Sequence, residues 1–177
     1  MIVKSAMTKA AAVALLVTGI NVSQAQDAVP TALKPPAGYV VALTAKATGV
    51  QIYNSTAEAG AAAKWTFEAP LAELKGRGVV IHHYAGPSWE AVDGSKVSRD
   101  MDTPVTTVPA KQATSDIPWL LIKVQAEGDK QGTFSQVVYI QRVNTKGGKA
   151  PAQAPIRMGT NVGVAYRATY YCYGRAD

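Results

Sequence analysis

From Tyr39 onward the chain is dominated by short runs in which apolar and polar residues alternate. Runs such as "GVQIYNS", "GVVIHHYA" and "VGVAYRATYYCYG" are rich in β-branched and aromatic residues, and Gly, Pro, Asn or Asp ends most of them. Because successive side chains of a strand point to opposite faces, this alternation predicts strands. Only "APLAEL" and "STAEAGAAAK" lean locally towards helix. Strands that follow strands favour an all-β fold, an antiparallel β-sandwich or partly closed barrel with little helix.

Two of the predicted strands carry apolar residues on both faces. In "PWLLIKVQAE", Leu120 and Ile122 share one face and Trp119 begins the other, and "FSQVVYIQRV" places Val138 and Ile140 together. Burial on two sides is typical of central strands. We therefore expect Leu120, Ile122, Val138 and Ile140 to be nearly fully buried. The segment "VTTVPAKQATSDIP" has few strand signals and is predicted to be a long loop.

The N-terminus has the pattern of a secretory signal. Lys4 and Lys9 precede the apolar run "AAAVALLVTGI", and Ser23-Gln24-Ala25 forms a small-x-small cleavage site. A helix that spans a membrane needs about 20 apolar residues, so this run is too short. We predict a signal peptide at residues 1–25, a Pro-rich, poorly ordered leader at 26–38 and one β domain at 39–177. The mature protein is then exported, either periplasmic or secreted.

Charge and cysteine content exclude several classes of function. The net charge is +6, but the Lys and Arg residues are scattered and form no basic block interleaved with aromatic residues. Nucleic-acid binding is therefore not expected. One Cys cannot form an internal disulfide, and it excludes metal sites built on several thiolates. We expect no cofactor, no bound metal and no transmembrane segment.

Six motifs, in order, carry a resemblance to a known family: "GVQIY", "WTFEAPLAEL", "HHYAGPSWEAVDGS", "IPWLLIKV", "YIQRVNTKGGKAP" and "AYRATYY". They resemble the exported family named domain of unknown function 3455. The resemblance implies an extracytoplasmic, β-rich domain without an established role. Many family members carry one Cys just after "QIY" and another shortly after "GGxAP". Here Asn54 and the "AQAPI" run occupy those places, so that disulfide is absent, and Cys172 stands where an aromatic residue usually ends the last strand.

The stretch "HHYAGPSWEAVDGS" contains both histidines of the chain. Strand alternation places His83 on the apolar face with Ile81 and turns His82 to the other face, so the two cannot ligate one metal ion. We expect His83 to be a structural residue that donates a hydrogen bond to a backbone carbonyl. Gly86-Pro87 predicts a sharp corner, and Asp93-Gly94 predicts a type I′ hairpin turn.

Our leading hypothesis from the sequence is a non-enzymatic module that binds a carbohydrate or another small extracytoplasmic ligand. Tryptophan rings stack on sugar faces and are enriched at interfaces, and arginine contacts carboxylates or hydroxyls. The candidate ligand-binding residues are Tyr84, Trp89, Trp119 and Arg142.

The alternative hypothesis is a hydrolase. In that case His83 acts as the base, Asp93 orients it, and Ser88 or Ser95 is the nucleophile. The chain has no G-x-S-x-G elbow. Geometry separates the two hypotheses, because an enzyme needs His83 within hydrogen-bond reach of Asp93 or a serine hydroxyl.

Overall fold

A computed structural model describes residues 29–128 and 131–176, and the predicted signal peptide lies outside this part of the chain. A 3-10 helix at Thr31–Leu33 precedes the strands β1 Tyr39–Thr56, β2 Lys64–Gly76, β3 Val79–Tyr84, β4 Ser88–Ala91, β5 Lys96–Arg99, β6 Thr106–Val108, β7 Trp119–Glu127, β8 Val137–Gly147 and β9 Asn161–Arg175. All paired strands run antiparallel. The expected all-β, antiparallel fold is confirmed. Across the described residues we find no helix with the length and apolar character needed to cross a membrane.

The sheet closes on itself into a barrel. Its strands follow the order β5-β4-β3-β2-β1-β9-β8-β7-β6, and β5 also pairs with β7. Residues Lys96–Arg99 lie opposite Val124–Glu127, whereas β6 pairs with the other half of the same edge of β7, at Trp119–Leu121. The fold is therefore a closed barrel of eight strands, with β6 as an additional strand.

Side chains of very different size fill the barrel. The buried inward-facing residues are Ala45, Ala47, Ala72, Leu74, Ile81, Trp89, Ala91, Val97, Ile122, Val124, Val137, Ile140, Tyr166, Ala168, Tyr170 and Cys172. Alternation of small and large residues lets the rings of Trp89, Tyr166 and Tyr170 fit inside a narrow barrel. Burial raises the pKa of the Cys172 thiol to about 12, so Cys172 acts as a small apolar residue and not as a nucleophile.

A β-bulge in β8 changes which valine faces inwards. Val137 and Tyr139 pair with the adjacent residues Gly174 and Tyr173, so Val138 is an extra residue in β8. Val137 then lies in the barrel together with Ile140, while Val138 is only half-buried. The prediction of nearly full burial is confirmed for Ile122 and Ile140 and is wrong for Val138. It is also wrong for Leu120, which is half-buried because it lines a cavity described below.

The described part of the predicted leader is packed against the barrel. Val29 and Leu33 are buried in an outer cluster on β7, β8 and β9 that includes Trp119 and Tyr171. The Nε2 atom of Gln141 donates a hydrogen bond of 2.6 Å to the carbonyl of Leu33. Residues 29–38 therefore differ from the poorly ordered leader expected, because the apolar outer face of these strands needs cover. Residues 26–28 lie outside the described residues.

Three local predictions were wrong. The predicted loop "VTTVPAKQATSDIP" contains the strand β6, and "APLAEL" lies within β2 instead of leaning to helix. The hairpin after β4 is not a type I′ turn, since only Gly94 has a positive φ, of 85°. Gly94 N donates to Ala91 O and Ala91 N to Ser95 O, which closes a three-residue loop.

Hydrogen bonds tie down the loop after β8, where the family resemblance implies a disulfide in other members. Ser55 Oγ donates to the carbonyl of Arg157 at 2.5 Å and accepts from the amide of Thr160 at 2.9 Å. Trp65 Nε1 donates to the carbonyl of Gln153 at 2.9 Å. Side chains of β1 and β2 thus hold this loop without a covalent link.

The bulge in β8 can be tested with two adjacent, identical substitutions. Val137→Ala removes methyl groups from the barrel interior and should lower the free energy of unfolding by about 2 kcal/mol. Val138→Ala removes half-buried methyl groups and should cost less than about 1 kcal/mol. Urea titration of both variants gives the comparison. A larger loss for Val138→Ala than for Val137→Ala would contradict the bulged register.

Candidate functional site

One end of the barrel encloses a cavity of about 460 Å³, which we call the mouth cavity. Its apolar and aromatic lining residues are Tyr53, Phe67, Pro70, Pro87, Trp89, Ile117, Pro118, Leu120, Ile122 and Tyr170. Its polar lining residues are Gln51, Glu68, His83, Arg142 and Lys149. A few polar groups among apolar walls in a volume of this size are typical of sites for small molecules.

Hydrogen bonds to the end of β8 fix the segment at residues 116–118, which forms one wall of the mouth cavity. Asp116 Oδ1 accepts from the amide of Gly147 at 2.8 Å, and the amide of Ile117 donates to the carbonyl of Gly147 at 2.9 Å. Thr145 Oγ1 donates to the carbonyl of Ile117 at 2.6 Å. The hydrogen bond from the Gly147 amide holds the pKa of the buried Asp116 carboxyl below its usual value. This carboxylate therefore has a structural role, as an acceptor for a backbone amide.

Arg142 on β8 places a positive charge inside the barrel. Its side chain is 8% exposed, and its Nη2 atom donates to the carbonyl of Pro118 at 2.9 Å. Its Nε atom is buried without a hydrogen-bond partner. Within residues 29–128 and 131–176, no carboxylate forms an ion pair with this guanidinium. A buried charge without a counter-ion is costly, which marks Arg142 as a functional candidate.

Two further buried donors line the same cavity without a partner. Gln51 is 3% exposed and Trp89 is 2% exposed, and neither Gln51 Nε2 nor Trp89 Nε1 has a hydrogen-bond partner. Buried side-chain polar atoms are usually hydrogen-bonded, so single exceptions need an explanation. Together with Arg142, three residues that carry such a donor line this cavity, whereas Arg99 and Trp119, which carry the other two, lie outside it.

His83 is held as a neutral, structural side chain. Its ring stacks on Trp89 with 4.4 Å between ring centroids and an interplanar angle of 7°, and Tyr170 meets it edge-on. Its Nδ1 atom lies 2.9 Å from the carbonyl of Ser88. A carbonyl only accepts, so Nδ1 carries the proton. The pKa of His83 is lowered to about 3, mainly by burial. The hydrogen bond to the Ser88 carbonyl raises this pKa, and the charge of Arg142 lowers it.

Asp93 lies in the hairpin after β4 and shares no hydrogen bond with His83. Its Oδ1 accepts from Ser95 Oγ at 2.6 Å, and its Oδ2 accepts from Thr133 Oγ1 at 2.7 Å. These bonds hold the pKa of Asp93 well below its usual range. Asp93 therefore joins the hairpin to the chain before β8, and the side chains required by the hydrolase hypothesis do not form a relay.

Among the described residues, no three His, Cys, Asp or Glu side chains come together in a way that could hold a metal ion.

Two of the four candidate ligand-binding residues line the mouth cavity, namely Trp89 and Arg142. Trp119 lies on the other side of the sheet, in the outer cluster with Leu33. The Tyr84 hydroxyl donates to Glu90 Oε2, and Lys96 Nζ lies 5.5 Å from the centre of the Tyr84 ring, so Tyr84 is also outside the cavity.

Sequence reasoning missed Gln51 and Tyr53, although a signal was present. Both share the parity of Ala45 and Ala47 on β1, so they belong to the inward face. A glutamine on the same inward face as alanines is unusual in a packed core. The Tyr53 hydroxyl donates to the carbonyl of Gly148 at 2.6 Å, which anchors this part of the cavity wall.

Residues 75–174 match the model of a family described as protein of unknown function (DUF3455). The chain belongs to this family. No curated protein and no solved structure matches the chain.

All six motifs behind the resemblance to DUF3455 meet at the mouth cavity. Each contributes at least one lining residue, and examples in chain order are Gln51, Phe67, His83, Ile117, Arg142 and Tyr170. The first two of these residues precede the part of the chain that matches the family model. Segments distant in sequence are therefore brought together around one cavity.

The structural role of His83 predicts a specific dependence of stability on pH. His83 stays neutral in the folded protein down to a pKa of about 3, whereas in the unfolded chain it titrates near 6.5. The unfolded state therefore binds more protons between these values, and stability falls as pH falls through this range. His83→Phe keeps a flat ring against Trp89, so this part of the pH dependence should vanish.

At about pH 7 the His83→Phe variant should be less stable by about 1–3 kcal/mol, because the Ser88 carbonyl loses its donor. Urea unfolding at about pH 7 and about pH 4.5 measures both effects. His82→Phe is the matched control, since His82 is exposed on the outer face of the same strand. An unchanged pH dependence in His83→Phe would refute the assignment.

Proposed function

We propose that this protein is an exported, non-enzymatic binding module that takes a small organic ligand into the mouth cavity. The observation that carries the proposal is the set of buried donors without partners, Gln51 Nε2, Trp89 Nε1 and Arg142 Nε, in a cavity with apolar walls. A ligand that accepts hydrogen bonds would satisfy these donors and bury its own apolar surface.

The cavity walls favour a ligand with an apolar body over a carbohydrate. Sugars need donors and acceptors in similar numbers and stack on an accessible aromatic face. Trp89 is 2% exposed, and His83 covers one face of its ring. Most other lining residues are aromatic, aliphatic or Pro. A small, partly apolar molecule fits this environment better than a polyol.

The arrangement around His83 supports binding over catalysis. A general base needs a free, polarised ring nitrogen close to the reacting group. Here the ring is packed between Trp89 and Tyr170, Nδ1 donates to a backbone carbonyl in place of a carboxylate, and Asp93 binds Ser95 and Thr133. Burial makes proton uptake at His83 unfavourable near neutral pH.

Export is supported by the N-terminal pattern of Lys4, Lys9, the apolar run and Ser23-Gln24-Ala25. Expression of the full chain in a bacterial host with a Sec pathway, followed by fractionation and intact-mass measurement, should give a protein that begins at or near Gln26. Recovery of the full-length chain in the cytoplasm would contradict export.

Ligand uptake can be tested by screening the mature protein against small organic acids, amides, alcohols and sugars by thermal shift. A ligand at about 100 times its Kd adds about 2.7 kcal/mol to the free energy of unfolding, which raises Tm measurably. Leu120→Trp should abolish the shift because the larger side chain fills the mouth cavity.

The matched control is Leu71→Trp, which changes an exposed residue on β2 outside the cavity and should keep the shift. A shift that persists in Leu120→Trp would place the ligand elsewhere. A screen without any shift would count against the proposed function.

A further inference from the structure

We propose that the ligand of the mouth cavity is an organic monoanion, a carboxylate attached to an apolar body of about ring size, and that Arg142 binds the carboxylate. This inference rests on the proposed function, because it concerns the chemistry of the ligand in the same cavity.

The charge inside the mouth cavity is positive and uncompensated. Arg142 is buried and has no ion pair among the described residues. Of the other charged lining residues, Lys149 is half-buried and Glu68 is exposed, so water screens the Glu68 carboxylate. His83 stays neutral near neutral pH because it is buried. An anion would therefore supply the counter-ion that Arg142 lacks.

The unpartnered groups all donate. Arg142 Nε, Gln51 Nε2 and Trp89 Nε1 present N–H groups, and none of these atoms can accept. A carboxylate is an acceptor with two oxygens, and guanidinium binds it strongly through two parallel hydrogen bonds. The Pro118 carbonyl takes one N–H of Arg142 Nη2, and Nε has no partner, so this guanidinium has donors left for an acceptor.

A singly charged ligand matches the site better than a phosphate ester. A phosphate group carries about −1.5 to −2 charges at neutral pH, whereas Arg142 is buried in the lining and Lys149 is only half-buried. The apolar walls, with Tyr53, Phe67, Ile117 and Leu120, disfavour a second negative charge inside the cavity. The same walls suit an aromatic or aliphatic body attached to a carboxylate.

The matched probes for this inference are 1-naphthylacetate and 1-naphthylacetamide, which share a ring body and differ in charge. Isothermal titration of the mature protein near pH 7 should show that the acid binds at least about tenfold more tightly than the amide, as expected for hydrogen bonds to a charged group. Competition between the probes would show that they share one site.

Three variants connect this preference to the cavity. Arg142→Met removes the charge and should bring the affinities for the acid and the amide together. Gln51→Glu is nearly isosteric and adds a negative charge to the cavity lining. It should therefore lower the affinity for the acid and leave the affinity for the amide unchanged. Arg99→Met is the matched control. Arg99 also has a buried Nε without a partner but lies outside the mouth cavity, so the preference should persist.

The outcomes separate this inference from the proposed function. If the acid and the amide bind equally tightly and both lose binding in Leu120→Trp, the anion inference is overturned but the cavity remains a binding site. Absence of binding by both probes at millimolar concentration would overturn the inference and count against the proposed function as well. A preference for the acid that survives in both Arg142→Met and Gln51→Glu would also overturn the role of Arg142. If Arg142→Met does not fold, Gln51→Glu alone decides.

Discussion

The pairing of β5 with β7 is the constraint on which the rest of the structure depends. It joins Lys96–Arg99 to Val124–Glu127 and turns an open sheet into a closed barrel. An ion pair of 2.5 Å between Lys96 and Glu127 lies at this seam. Once the sheet is closed, every second residue of each strand must fit inside, and any polar residue with that parity is separated from water. The environments of Gln51, His83 and Arg142 are consequences of this closure.

Closure produces a packed interior and a mouth cavity, and aromatic rings lie between the two. Trp89 and Tyr170 belong to the buried core and also line the cavity, with the His83 ring stacked between Trp89 and the edge of Tyr170. Beyond these rings, small residues such as Ala45 and Ala47 meet large ones and complete the core. The stack gives the cavity a packed wall, which would lower the cost of ordering the proposed ligand there.

Local alternation predicted the strands and the inward direction of His83, and residue type alone selected Trp89 and Arg142, which line the mouth cavity. It could not predict features that depend on distant pairing. The extra residue at Val138 changes which residues of β8 face inwards. A register shift between Ile52 and Tyr53 likewise changes how β1 and β2 are paired. Apolar residues on both faces of β7 and β8 correctly indicated burial on two sides. The sequence did not show that Leu33 from the leader would cover the outer face.

Arg142 connects the stability of the empty barrel to the proposed binding of an anion. Its guanidinium is removed from water and contacts the Pro118 carbonyl, which compensates only part of the lost hydration. Asp116 and Thr145 bind backbone groups that hold the neighbouring wall of the cavity in place, so this wall stays fixed around the guanidinium. The empty protein therefore keeps an unfavourable charge that an anion can neutralise. Under the proposed function, the free energy lost by burying Arg142 in the empty cavity is the free energy that favours an anionic ligand.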